Sequence, residues 1–544
     1  MPLVDSKTAA ETPKGVISLK IVLFCALLSF SGALHGFNTA NISGVLAMPT
    51  FAKKFGLDQM DSSAVADWSG WITSMLILGS CAGALVTAIV GDWLGRRYGL
   101  AASSAIFCVS AVLMTANPGG EAGRVEFLVG RFLSGFGSGA ASVIGTGYIA
   151  EIAPKAIRGG LSALYNANTM LCVGLAYWIN YGALSNIAGD AEWQVPMAVQ
   201  ALPGVILLAG LFFIPNSPRW LASKGKASKS LESLSRLRSL SPEHSFVDRE
   251  FREIQHGVEQ MSEIGAGGAR TIIREIFSPS IRKRMIMVMI IQVGFQFSGG
   301  NIITYYNTPI LTSIGLGSKS TSYIFAGIYG IVKFVAVCFY CLFVVDRFGR
   351  RSALFAGSAG IIASLLYLTI YLAVSTPSST LSGGTSGAGW AAVVAIYIFA
   401  IAYAVSWGTI PWLINAEVFP TRIRSVCMSI CVTWQYLVNF ALTRGQPNMV
   451  IAMHPWGPFL LFACFTTLMT VYCFFAYPET RGMSMEDMDE LFAMPWYKVG
   501  RASVQIVSKQ NGSHHEEYAQ DGKGGENKEH EITVNYCEGK KLSV

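Results

Sequence analysis

Charge is what this 544-residue chain has least of: Asp, Glu, Lys and Arg together make up 13% of it, against roughly a quarter in soluble domains. Hydrophobic residues make up 52%, and the two figures together exclude a soluble multidomain enzyme. Metal-ligand spacing is missing too, since the seven histidines are scattered. The sequence offers no phosphate-cradling loop and no nucleophile set beside a base, so neither an enzyme nor a cofactor nor a metal is expected. Ten of the eleven cysteines fall in apolar runs and Cys537 in a polar tail, which excludes a disulfide framework. The net charge of +7 is not gathered into a basic stripe interleaved with aromatics, so nucleic acid is not expected as a partner.

What the chain does have is long apolar runs. A bilayer core about 30 Å thick takes about 20 residues of helix. Twelve runs of that kind lie near 18–38, 70–90, 99–117, 126–149, 162–184, 196–214, 284–312, 321–345, 352–375, 389–416, 425–446 and 457–477. A basic connector of amphipathic spacing, 216–283, separates the sixth from the seventh. The expected fold is an all-α membrane protein with twelve transmembrane helices in two six-helix halves, 18–215 and 284–480. An N-terminal tail (1–17), cytoplasmic helices in the central loop (216–283) and a mostly disordered tail (481–544) complete it.

Orientation follows from where Lys and Arg collect. The connectors after spans 2, 4, 6, 8 and 10 hold Arg96 and Arg97, Lys155 and Arg158, the basic linker, Arg347, Arg350 and Arg351, and Arg422 and Arg424, while the alternate connectors are poor in both. Both termini and the linker are therefore expected in the cytoplasm, with the plasma membrane as the host bilayer and 376–388 as an outer loop.

Three signatures recur in order. Asp92-Trp93-Leu94-Gly95-Arg96-Arg97 is matched by Asp346-Arg347-Phe348-Gly349-Arg350-Arg351. Glu151 stands seven residues before Arg158 as Glu417 does before Arg424, and Pro215-Asn216-Ser217 is matched by Pro478-Glu479-Thr480. Such ordered repetition points to two related halves. Short acid and arginine groups at helix ends suit an inner gate that locks and releases the halves of an alternating-access carrier. The expected gate is Asp92, Arg96, Arg97, Glu151 and Arg158 with Asp346, Arg350, Arg351, Glu417 and Arg424.

These motifs, with Gly130-Arg131-Phe132, the PNSPRW of 215–220 and the PETRG of 478–482, resemble the sugar porter family of the major facilitator superfamily over about 18–485. The run GIYGIVKF at 327–334 and the polar tail resemble fungal members. A sugar offers hydroxyls that both donate and accept, which calls for amides and an aromatic face. Gln292 and Gln296 share a helix face, with Gly299 and Gly300 permitting a break before Asn301. The resemblance places both glutamines and Asn301 at the sugar, Tyr305 and Tyr306 at an outer gate, and Trp412 as an aromatic platform with Gly408 and Pro411 as a hinge. It adds Gln435 and Asn439, and Asn166 where hexose carriers usually have Gln. Phe295 stands where the family often has a second Gln, which puts the usual hexose contacts in doubt. Lys333, ionisable at membrane depth, is expected to face the cavity or a partner. It could hydrogen-bond a sugar or attract a carboxylate, which keeps sugar acids and quinate-like solutes open beside polyols and disaccharides.

Proton-coupled relatives usually carry an Asp where this chain has Asn38, facing the arginine matched by Arg131. Asn38 cannot take up a proton, so facilitated diffusion of a monosaccharide by a monomer is the leading expectation. Proton symport, with His35 or Glu151 taking up the proton, is the alternative, and a nutrient sensor a distant one.

Overall fold

The computed structural model describes residues 12–13, 15–266, 274–315, 319–344, 349–375, 386–420, 423–480, 483 and 485–507. The tail beyond 507 and most of the expected outer loop, residues 376–385, lie outside the described residues. The described residues contain helices and no strand. In chain order the long helices are α1 (Leu19–Val45), α2 (Ser62–Leu94), α3 (Arg96–Thr115), α4 (Gly120–Ile152), α5 (Arg158–Asn186) and α6 (Ala191–Leu211). Then come α7 (Pro279–Tyr305), α8 (Ser320–Phe343), α9 (Arg350–Val374), α10 (Gly387–Asn415), α11 (Arg424–Ala452) and α12 (Gly457–Ala476).

Eleven of these, all but α5, are both long and apolar enough to cross a bilayer. At 29 residues α5 has the length, but Asn166, Asn168 and Asn180 lower its hydropathy, and it packs inside the bundle against α1 and α8. Side chains such as Val109, Ile370, Val374 and Phe212 stand exposed on the outer faces of the bundle, as lipid contact requires. The helices overrun the apolar runs at polar ends: α2 begins at Ser62 rather than near 70, and α4 covers 120–152 rather than 126–149. The sixth span sits earlier than expected, ending at Leu211 rather than 214, because Pro215 disfavours helix in the residue before it.

Close packing comes from small residues. Gly79 and Gly83 of α2 lie against the backbone of α4 at Phe132 and Phe136, and Gly135 and Gly139 of α4 lie against Leu76 and Ser80 of α2. A side chain at any of the four would strike the partner's backbone, the reason four-residue glycine spacing suits helices packed in lipid.

One end of the bundle carries the linker helices Pro218–Ser223, Ala227–Arg238 and Ser245–Ala266. The Arg238 guanidinium pairs with Glu250 at 2.6 Å and donates to the Ile152 carbonyl at 2.7 Å, while Lys20 donates to the Arg236 carbonyl at 2.8 Å. A helix after α12, Met485–Ala493, meets α7 there through the Arg284–Asp489 pair. At the far end the two halves touch each other. Arg444 of α11 pairs with Asp67 of α2 and covers the Trp71 ring at 4.5 Å. Tyr323 of α8 donates to the Gly44 carbonyl of α1 at 2.7 Å, and Ser43 accepts from the Thr308 amide at 3.1 Å.

Candidate functional site

Helix α7 is the hub of the expected binding residues. It is interrupted at Ser298 and Gly299, where Gly299 takes φ +84°, a left-handed conformation that favours glycine. Below the break Gln292 donates to the Pro411 carbonyl of α10 at 3.2 Å. Across the break Asn301 donates to Gln296 Oε1 at 2.9 Å. Above it the Tyr305 hydroxyl accepts from Asn439 of α11 at 3.3 Å, Thr443 donates to Asn439 Oδ1 at 3.1 Å, and the Tyr306 hydroxyl donates to the Thr443 carbonyl at 3.2 Å. One network thus joins α7 to α11, and Gln292 adds α10.

Gln292, Gln296, Gln435 and Asn439 are buried, and among the described residues Gln292 Oε1, Gln296 Nε2 and Gln435 Oε1 find no hydrogen-bond partner. Asn415, which sequence reasoning passed over, is buried, and both its amide atoms are unpartnered among the described residues. Asn166 is half-buried on α5 and makes no hydrogen bond to the residues above. Its neighbour Asn168 donates instead to Ser29 of α1 at 3.1 Å.

α10 is broken as well, between Val405 and Ile410. Trp407 is buried at this break, its indole donating to Ser358 at 2.8 Å, which makes it a packing residue. Trp412 is 40% exposed and meets the Phe295 ring edge-on at 6.4 Å; Phe295 in turn stacks on Tyr403 at 6.1 Å. Lys333 of α8 is buried and donates to Thr304 Oγ1 of α7 at 2.8 Å.

On α1, Asn38 is fully buried, accepts from the Arg131 guanidinium and donates to Ser134 at 3.0 Å. Arg131 also donates to the Ile72 carbonyl at 3.1 Å. His35, one turn earlier, joins none of these, and its Nδ1 is buried without a partner among the described residues.

At the linker end, Arg96 donates to Glu151 at 3.0 Å and Arg97 to the Phe212 carbonyl at 3.3 Å. In the second half Arg350 donates to Glu417 at 3.4 Å, and Arg351 to the Tyr477 carbonyl at 2.8 Å. Both acid–arginine pairs lie within a half. Arg158 is exposed at the start of α5, within electrostatic reach of Glu250, Arg238 and Arg219, and Arg424 donates to the Phe419 carbonyl at 3.0 Å. The side chain of Asp92, and Asp346, lie outside the described residues.

Comparison with known proteins fits this architecture. The family profile described as "Sugar (and other) transporter" matches residues 24–492. The chain is 33% identical over 500 residues to a probable quinate permease of Aspergillus fumigatus, covering 92% of each. It is 32% identical over 499 residues to a quinate permease of Neurospora africana, covering 91% of this chain and 92% of that one. Among solved structures, the inward-open xylose transporter XylE from E. coli superimposes with a TM-score of 0.71 at 22% identity, covering 87% of this chain and 99% of that one. At that identity the likeness shows the fold, which is that of the major facilitator superfamily. The chain belongs to the sugar (and other) transporter family and is a multi-pass membrane transporter with fungal relatives.

Proposed function

We propose that the protein is an alternating-access carrier that takes a small polyhydroxylated ring solute into the cell by facilitated diffusion. It works as a monomer in the plasma membrane, with the linker and both termini in the cytoplasm. The observation that carries this reading is the set of unpartnered buried amide atoms on Gln292, Gln296, Gln435 and Asn415. An unpaired buried polar atom costs about 1–3 kcal/mol, and a sugar hydroxyl, donor and acceptor at once, can satisfy both kinds. Trp412 and Phe295 supply an aromatic wall for the ring's C–H face.

The far-end contacts of Asp67, Trp71 and Arg444, set against linker-end pairs that stay within each half, support an inward-facing carrier. Passive transport rests on Asn38: the residue held against Arg131 is an amide, so no carboxylate there gains or loses a proton as the carrier turns over. Proton symport is the second reading, favoured by the unpartnered Nδ1 of His35.

The test is counterflow of radiolabelled glucose, fructose, xylose and quinate, the last being the solute in the relatives' names, through purified protein in liposomes. At least one is expected to exchange, and Gln292→Ala or Gln296→Ala is expected to lower its kcat/KM by about three- to tenfold, the worth of one neutral hydrogen bond. Exchange unaltered in both variants would contradict the site.

A further inference from the structure

Lys333 is a buried cation with no counter-ion among the described residues. Only 4% of it is exposed, and among the described residues no carboxylate reaches its ammonium. Its contacts are the hydroxyl of Thr304 and the rings of Tyr329 and Tyr403, whose centroids lie 5.8 and 5.5 Å away. Ring faces attract a cation, yet they do not replace the solvation a buried ammonium gives up.

The hydrogen-bond inventory around it is one-sided. Thr304 Oγ1 gives its own proton to the Gly300 carbonyl at 2.8 Å, so it can only accept from Lys333 and from the Tyr329 hydroxyl at 3.2 Å. Those two donors fill its lone pairs. The Thr304 carbonyl accepts from Tyr177 of α5 at 2.6 Å. Among the described residues Lys333 therefore keeps two N–H groups with no acceptor, and Tyr403, whose ring the ammonium faces, has a buried hydroxyl with no partner. Two ammonium N–H groups, one hydroxyl able to give or accept, and one positive charge are left without a partner among the described residues. A neutral hydroxyl could accept one of these bonds but would leave the charge; a carboxylate offers two oxygens and the opposite charge.

The Lys333 cluster adjoins the amide residues through α7 and Tyr403. Thr304 lies one turn beyond Gly300 on the segment of α7 above the break, whose Asn301 donates to Gln296 below it, and the Tyr403 ring occupies the space a side chain at position 300 would need. Tyr403 stacks on Phe295, which touches Trp412. We infer that Lys333 and Tyr403 bind a carboxylate, so that the transported solute is a polyhydroxylated ring carboxylic acid rather than a neutral sugar. The inference rests on the carrier reading above and adds the class of solute to it.

The experiment compares quinate, its uncharged methyl ester and glucose in counterflow through wild type, Lys333→Met and Lys333→Arg in liposomes. Wild type is expected to favour quinate over the ester by about tenfold or more in kcat/KM, the discrimination a charged hydrogen bond confers. Lys333→Met is expected to lose that preference while still moving the ester, and Lys333→Arg to keep part of it. A merely structural lysine would change transport of all three solutes alike. Equal handling of acid and ester by wild type, undiminished quinate preference in Lys333→Met, or exchange of glucose without quinate would overturn the inference and leave the carrier reading standing. Movement of none of the three would sink both. Should Lys333→Met fail to fold, the wild-type ratio of acid to ester and the Arg variant decide.

Discussion

The two halves answer the same mechanical need at the linker end in different ways. Each has an arginine clamped on an acid, Arg96 on Glu151 and Arg350 on Glu417, and a following arginine bound to carbonyls at the end of its half's last helix. The bracing around these pairs differs. In the second half Glu479 accepts from the amides of Arg350 and Arg351 at 3.0 and 3.1 Å, so an acid caps the start of α9, where the helix dipole favours negative charge. The matching residue of the first half is Asn216, and among the described residues only its carbonyl is used, accepting from Ser233 of the linker at 2.5 Å. Gly95 there turns with φ +79° directly beneath the linker's Trp220 ring. The first half borrows its brace from the linker; the second carries its own. A duplicated geometry has thus been kept while its supports diverged.

Breaking each support should separate the halves. Glu479→Ala is expected to have the largest effect, about 3 kcal/mol of stability from two charge-assisted bonds to buried amides. Asn216→Ala should cost under about 1 kcal/mol, because its side chain is not what the linker holds. Thermal melts in detergent read both, and equal losses would refute the difference. Next comes Gly95→Ala, expected to cost about 1–3 kcal/mol through its left-handed backbone, with part of the loss relieved by Trp220→Ala. No relief would mean the linker does not press on that turn. The smallest effect is expected at the exposed Lys155–Glu253 pair, 2.6 Å apart: Glu253→Gln should shift stability by under about 1 kcal/mol, and less in high salt.

Much of this was legible in the sequence because it is local. Gly299 and Gly300 signal the α7 break, the four-residue spacing of Gln292 and Gln296 puts them on one face, and the repeated signatures reveal two halves. What spacing does not give is partners: Glu151 and Glu417 pair with Arg96 and Arg350, while Pro154 and Pro420 interrupt the helix before Arg158 and Arg424. The resemblance singles out Trp412, and burial sets it apart from Trp407 five residues earlier. The surroundings of Lys333 were invisible because Tyr177, Thr304 and Tyr403 come from three other helices, and no spacing along one chain segment records contacts across a bundle.

The claim of passive carriage is tested most directly by solute uptake into liposomes with and without an imposed inward proton gradient, for wild type and Asn38→Asp. Wild type is predicted to bring its solute to the outside concentration and no further under either condition, with gradient-driven accumulation appearing only when a carboxylate faces Arg131. Accumulation by wild type above the outside level would contradict the account and shift attention to His35.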